Sequence, residues 1–320
     1  MNPRLKLLFL GSGEFGLPTL ARLAQEHEVV GIVTQPDRPA GRAQRLTPTP
    51  IGQWASEHLP RAPILKPESI NNRAQLNEIS ALEPDVAVVI AFGQKLGPTF
   101  LVEHFAINLH ASLLPRWRGA APINHAILAG DTETGNSVIT LADRMDAGFI
   151  LAQSRRPIGP ATTAGELHDL LAADGPALVL EVIEKHRTGT LQPVAQDAAL
   201  VTLAPKLSKQ DGWVNFTDSA GACARRVNGL SPWPGVTVAF RDSPLRLVRA
   251  EPLRADSEEG CKDGPGSIAD PDLGAVRCGG GSRLKLLEVQ PAGGRVMSWS
   301  EFARGRRVIA EERLMGVSPC

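Results

Sequence analysis

Leu5-Lys6-Leu7-Leu8-Phe9-Leu10-Gly11-Ser12-Gly13-Glu14-Phe15-Gly16 opens the sequence with a short apolar run that ends at a glycine. A stretch with helical character follows over residues 18–25, and a second apolar run occupies residues 29–34. The order is strand, helix, strand. Further runs at 85–91, 105–110 and 137–141 repeat the pattern with helical segments between them. Strands that are apolar throughout, and not only on alternate residues, belong in a sheet covered on both faces, as parallel sheets are. The expected class is α/β, an open and doubly wound parallel sheet.

Residues 35–50 interrupt this pattern. Pro36, Pro39, Pro48 and Pro50 remove backbone donors and fix φ, so a long loop without regular structure is expected beyond a strand end. Helical periodicity returns over 165–187 and then gives way to a stretch with no strong pattern. From residue 206 the texture changes to short alternating segments at 236–240, 245–250, 267–268, 275–277 and 284–289, separated by turn residues. Strands so short and so spaced indicate a small barrel or sandwich. The expected division is one domain over 1–189, a linker over 190–205 and a second domain over 206–320. Residues 255–265 are polar and charged, and read as an exposed hairpin or a disordered loop.

A chain of 320 residues exceeds one ordinary domain. Its 34 basic and 34 acidic residues cancel, so a nucleic-acid partner must be held by local clusters and not by bulk charge. Cys223, Cys261, Cys278 and Cys320 show no paired spacing, which argues against a zinc site or a disulfide framework and fits a reducing compartment. The first residues break at Gly11 too soon for a secretory signal, and no apolar run approaches the ~18 residues of a membrane span. A soluble, cytoplasmic protein with no membrane partner is expected.

Residues 11–16 fit G-x-G-x-x-G between a strand and a helix, the setting of a dinucleotide-binding turn. That mechanism also needs an acid at the end of the second strand to hold the ribose hydroxyls. Here the strand ends Val33-Thr34-Gln35, and the next acid, Asp37, lies inside the proline-rich segment. The glycines are assigned to a tight strand-to-helix turn.

The chemistry is concentrated in Ile107-Asn108-Leu109-His110-Ala111-Ser112-Leu113-Leu114-Pro115. Alternation along a strand points Asn108 and His110 to the same side, at the kind of strand end where open α/β sheets bind ligands. A neutral amide and an imidazole together can polarise a carbonyl and manage a proton. Leu113-Leu114-Pro115 makes an apolar wall suited to a flat heterocycle. Downstream, Arg144-Met145-Asp146-Ala147-Gly148 places a carboxylate in a loop at a comparable strand end, where Asp146 can pair with His110 and orient its ring. Each residue also has an ordinary structural role open to it: Asn108 as a turn cap, His110 as a satisfied core residue, Asp146 as a turn residue.

The stretch from Asn108 through Pro115 into Arg116-Trp117-Arg118-Gly119-Ala120-Ala121-Pro122-Ile123 resembles the signature of the 10-formyltetrahydrofolate-dependent formyltransferases. Gln35-Pro36-Asp37-Arg38-Pro39-Ala40-Gly41-Arg42 is similar to a loop of that family that reaches a tRNA acceptor end, and Pro232-Trp233-Pro234-Gly235 to a motif of its C-terminal domain. Similarity at Lys206-Leu207-Ser208-Lys209 and over 286–293 extends the match across nearly the whole chain. The first turn departs from the family, which usually has Gly-Thr-Pro where this chain has Gly11-Ser12-Gly13.

The resemblance implies a Rossmann-like N-terminal domain and a smaller C-terminal β-barrel resembling an OB-fold. It implies catalysis by Asn108, His110 and Asp146, with Ser112, Leu113, Leu114 and Pro115 lining a folate site. It implies 10-formyltetrahydrofolate as formyl donor and the methionyl amine of charged initiator tRNA as acceptor, with no metal. Arg38, Arg42 and Arg45 would meet RNA phosphates or base edges, and Lys206 and Lys209, with Arg225, Arg226, Arg304, Arg306 and Arg307, would add positive charge in the second domain. Trp233, bracketed by prolines, is expected in the core, and the chain is expected to be monomeric. Competing possibilities are transfer to an amino-sugar nucleotide, hydrolysis of the formyl-folate, and RNA binding without catalysis.

Overall fold

The opening apolar run becomes β1 (Lys6–Gly11), followed by α1 (Leu17–Glu26) and β2 (Glu28–Val33). The computed structural model describes residues 4–41, 44–253 and 264–316. The chain continues through β3 (Arg38–Ala40), β4 (Arg45–Thr47), α2 (Pro50–His58), β5 (Ile64–Leu65), α3 (Arg73–Ser80), β6 (Val86–Ile90), α4 (Pro98–Glu103) and β7 (Ala106–His110). After β8 (Arg118–Gly119) and α5 (Pro122–Ala129), the strands β9 (Glu133–Thr140) and β10 (Ile150–Pro157) lead into α6 (Ala164–Arg187). By its contacts the chain forms two compact units, the first comprising Met1–Gly119, Gly135–Arg156 and His168–Leu203. Besides the residues from Ala204 onward, the second takes in Ala120–Thr134 and Pro157–Leu167.

In the first unit one sheet has the order β10-β9-β7-β6-β1-β2-β5. The central strands are parallel, β1 lying between β2 and β6, with β7 beyond β6 and β5 beyond β2. Of residues 137–141, expected as another parallel strand, 137–140 fall in β9 and run antiparallel to β7, Ser137 opposite His110 and Thr140 opposite Ile107. The antiparallel course starts β9 at the His110 end of β7, so no crossover has to carry the chain back along the sheet, as a parallel strand would require. Antiparallel strands flanking a parallel sheet are common for this reason.

Both faces of the sheet are covered. Leu8, Leu10, Ala87 and Val89 pack with Leu76 and Ile79 of α3 and Phe100 of α4. On the other face α6 lies against β7 and α1 at Gly175, where a β-carbon would come within 2.7 Å of Leu109 Cδ2 and 3.0 Å of Thr19 Oγ1. The proline-rich segment is not wholly irregular: β3 and β4 pair antiparallel, with Pro39 opposite Leu46. A two-stranded ribbon is all edge, so a proline can turn its missing donor side to solvent. Arg42 lies outside the described residues.

In the second unit, after β11 (Leu203–Ala204), come α7 (Ala220–Gly229), β12 (Val236–Phe240), β13 (Ser243–Leu253), β14 (Ile268–Asp270), β15 (Ala275–Arg277), β16 (Arg283–Pro291), β17 (Met297–Ser298), α8 (Trp299–Arg306) and β18 (Leu314–Gly316). The sheet order is β14-β15-β16-β13-β12-β18, with β17 on β16. Its end strands meet through a bridge between Ser267 and Arg313, and Ile268 N–H donates to Glu312 O at 2.8 Å. The sheet therefore curls on itself, the antiparallel barrel-like architecture expected from the short strands. Alternate residues Val236, Val238 and Phe240 enter its core with Leu245, Leu247, Leu284, Leu286 and Val289, closed by Val227 of α7 and Trp299 and Phe302 of α8. Cys223 and Cys278 are buried free thiols in that core; Cys261, Cys320 and most of 255–265 lie outside the described residues.

Arg249 on β13 fastens Glu166, which belongs to the second unit, to this sheet. Its Nη2 and Nη1 reach the two oxygens of Glu166 at 2.5 and 2.9 Å, and its Nε reaches Glu288 at 3.2 Å. Burial pushes the Glu166 carboxyl up, but hydrogen bonds donated by Arg249 and Thr163 outweigh it and hold the group below the ordinary carboxylate value. A carboxyl depressed in the folded state stabilises the fold above its unfolded pKa and loses that contribution as pH falls through the folded value. Arg249→Met is expected to cost ~1 kcal/mol at neutral pH, since Glu166 is partly exposed and screened. Melting curves at pH 7 and pH 4 check this: the gap between wild type and variant should shrink in acid, and an equal gap at both would contradict it.

Candidate active site

β7 brings the first two candidates together. Asn108 and His110 are separated by one residue, so they share a face of the strand, and Leu109 between them points to the opposite face, against α6. Asn108 is half-buried, and its side-chain amide has no hydrogen-bond partner among the described residues. His110 is 7% exposed, with Nε2 at 2.9 Å from Trp117 O and Nδ1 at 3.6 Å from Asp146 Oδ2. The longer contact exceeds a hydrogen bond, and it is an ion pair only when the imidazole is protonated. With Nε2–H donated to the Trp117 carbonyl, Nδ1 is the ring atom that faces the carboxylate.

Asp146 reaches this position from the loop after β9. Its φ of 53° is left-handed, a conformation that Asp tolerates better than most residues. Gly148 lets the loop close on β9: a β-carbon there would sit 1.6 Å from Thr140 O. Thr140 N–H donates to Phe149 O at 3.0 Å, and Phe149 N–H to Thr140 Oγ1 at 2.9 Å, fixing the loop's exit. The Gly119 N–H donates to Asp146 Oδ2 at 2.8 Å. Oδ1 accepts no hydrogen bond among the described residues.

Ser112, Leu113, Leu114 and Pro115 form the turn directly after β7. Ser137 Oγ donates to Ser112 O at 2.6 Å and accepts from Leu114 N at 3.0 Å, while Gln153 Nε2 bonds both Leu114 O and Ser137 Oγ. The Ser112 hydroxyl is spent on Arg116 O at 2.7 Å, and Ser112 and Leu114 are buried. Leu113 and Pro115 are the members of the turn with surface to offer a flat ligand. Sequence reasoning missed Ser137 and Gln153, because a hydroxyl and an amide on neighbouring strands carry no motif.

The basic residues are distributed differently. Arg38 is exposed but paired with Glu68 at 3.0 Å; Arg45, Lys206 and Lys209 are exposed. Arg226 is taken up internally: its guanidinium lies 3.9 Å over the Trp213 ring and donates to Trp213 O and Asp211 O. Trp233, expected in the core, is 50% exposed; the flanking prolines stiffen its loop without burying the ring. Among the described residues no group of three or more His, Cys, Asp and Glu could hold a metal. No helix there is long and apolar enough to cross a membrane. A cavity of 320 Å³ lined by Leu101, Glu103, His104, Phe105, Thr140 and Leu141 lies at the Ala106 end of β7, the opposite end from His110.

A model of the formyl transferase family matches residues 5–183, and a model of the formyl transferase C-terminal domain matches residues 206–307. The chain belongs to the formyl transferase family. Within this family it is 42% identical over 312 residues to a methionyl-tRNA formyltransferase of Acidithiobacillus ferrooxidans, covering 96% of this chain and 97% of the relative. A methionyl-tRNA formyltransferase of Aromatoleum aromaticum is 40% identical over 97% of this chain and 96% of its own length. Among solved structures, HypX from Aquifex aeolicus in complex with tetrahydrofolic acid superposes with a TM-score of 0.62 at 16% identity, over 94% of this chain and 47% of that one. An N-formyltransferase from Helicobacter canadensis, in complex with folinic acid and dTDP-3-aminofucose, gives 0.65 at 13% identity, over 88% and 98%. These two distant structures share the formyl transferase fold with this chain.

Proposed function

We propose that this formyl transferase moves the formyl group of 10-formyltetrahydrofolate to the amino group of methionine esterified to initiator tRNA. The observation that carries the reading is the grouping of Asn108, His110 and Asp146 at one strand end, in a chain so similar to methionyl-tRNA formyltransferases. Asn108, whose amide has no partner among the described residues, donates to the formyl oxygen and stabilises the negative charge that gathers there as the amine attacks the carbon. Asp146, held by the Gly119 N–H and facing His110 Nδ1, keeps the imidazole oriented and takes part in moving the proton from the attacking amine to the departing folate nitrogen. Leu113 and Pro115 form the wall for the pterin, with Ser112 and Leu114 holding the turn from behind.

The hairpin bearing Arg38 and Arg45, with the intervening Arg42, and the exposed Lys206 and Lys209 are proposed contacts for the tRNA backbone. Exposed Trp233 adds a surface on which a base can stack. Trp233→Ala is expected to raise KM for charged tRNA about tenfold, with KM for the folate and kcat unchanged. A KM for tRNA that does not move would return Trp233 to a purely structural role. We propose a cytoplasmic monomer, with the catalytic module over 1–189, a linker over 190–205 and the tRNA-binding module over 206–320.

The test is formyl transfer from 10-formyltetrahydrofolate to charged initiator methionyl-tRNA, beside a dTDP-amino sugar and water as acceptors. Formyl-methionine on the tRNA supports the proposal. Formyl transfer to the sugar alone, or folate turnover without formyl-methionine, would move the acceptor to one of the other two.

A further inference from the structure

We infer that residues 194–202 form a strap that positions the catalytic pair, with Gln196 as its positioning residue. This rests on the proposed role of Asp146. The strap begins where Val194 and Ile150 exchange backbone hydrogen bonds of 2.8 and 2.9 Å at the start of β10. Two residues on, Gln196 Nε2 donates to both Asp146 O and Gly148 O at 2.8 Å, so one side chain spans the turn that presents the carboxylate. Its oxygen accepts from Arg118 Nε at 2.9 Å and Nη2 at 2.7 Å. Both amide hydrogens and the oxygen are thereby used, which is the full donor complement of the group.

The far end of the strap holds the other half of the site. Thr202 Oγ1 accepts from Trp117 N at 2.9 Å, and Thr202 O accepts from Arg118 N at 3.0 Å. Residues 117–119 are the ones that engage the catalytic pair, since Trp117 O faces His110 Nε2 and Gly119 N–H holds Asp146 Oδ2. Asp146 and Trp117 both have left-handed backbones, at φ 53° and 63°. A bulky aromatic adopts that region reluctantly and stays there only when its surroundings hold it. Gln196 and Thr202 supply that hold from a single stretch of chain, on opposite sides of the His110–Asp146 contact.

The test uses the full chain and begins with the wild type, whose failure to formylate methionyl-tRNA would overturn the proposed function itself before any variant is compared. Given an active wild type, Gln196→Leu is expected to lower kcat ~10–100-fold while each KM stays within about twofold, because misplacing a reacting group slows the chemical step without weakening binding. Gln196→Glu, equal in size and retaining the oxygen for Arg118, should show the same loss, since both carbonyls lose their donor; it carries the test if the leucine variant does not fold. In an Asp146→Asn background the Gln196 substitutions should cost less than about twofold more, because they act through a carboxylate already removed. The same factor in both backgrounds, or an undiminished kcat in Gln196→Glu, overturns the inference.

Discussion

His110→Ala is expected to lower kcat for formyl transfer about 1,000-fold, with binding of both substrates nearly unchanged. The imidazole is 7% exposed and held on both sides, by Trp117 O at 2.9 Å and by Asp146 at 3.6 Å, so alanine removes a group already aimed at the strand-end site. Losing one donor at a developing oxyanion costs ~100- to 1,000-fold, and losing a positioned acid or base costs a comparable factor. Single-turnover rates with charged initiator tRNA check this, and a loss below about tenfold would remove His110 from the chemistry. A circular-dichroism melt close to wild type separates lost chemistry from lost fold.

Asp146→Asn keeps the shape and the acceptor for Gly119 N–H but deletes the charge facing His110 Nδ1. The expected fall in kcat is ~100- to 10,000-fold, the range for removing a general acid–base partner. Because the two side chains act as a unit, the double variant should be scarcely slower than His110→Ala alone. Independent, multiplying losses would mean that Asp146 acts on the amine without the imidazole. Near-normal activity in Asp146→Asn would reduce the carboxylate to the turn residue that its sequence context also allowed.

Much of this candidate site is legible in the sequence. Period-two alternation put Asn108 and His110 on one side of a strand, and the strand does carry them so. Continuous apolar runs announced the parallel core, because Leu7, Leu8, Phe9 and Leu10 need cover on both faces. Residues 137–141 were misjudged in direction, since an apolar run is equally apolar in either sense and only the place where the chain re-enters the sheet decides. Trp233 was misjudged because residue type sets a cost for exposure but not whether a stiff loop turns the ring outward. Arg226 counts as positive charge in a sequence, yet its guanidinium is consumed by Trp213 and Asp211.

What the amino-acid sequence determined by itself was local and periodic: the strand–helix alternation of the first unit, the short alternating strands of the second, and the run from Asn108 to Pro115 with its distinctive following residues. These follow from backbone geometry and side-chain type, which act over a few residues. Tertiary structure turned the suggested pairing of Asp146 with His110, 36 residues apart in the chain, into a 3.6 Å contact, and it alone decided that Gly148 must be glycine because Thr140 O occupies the space of a β-carbon, and that a patternless segment at 194–202 reaches both loops of the site. The physical reason is that hydrogen bonds from single polar side chains to distant backbone leave no periodic trace. Gln196 has the same sequence appearance whether its amide points to water or holds the carboxylate loop.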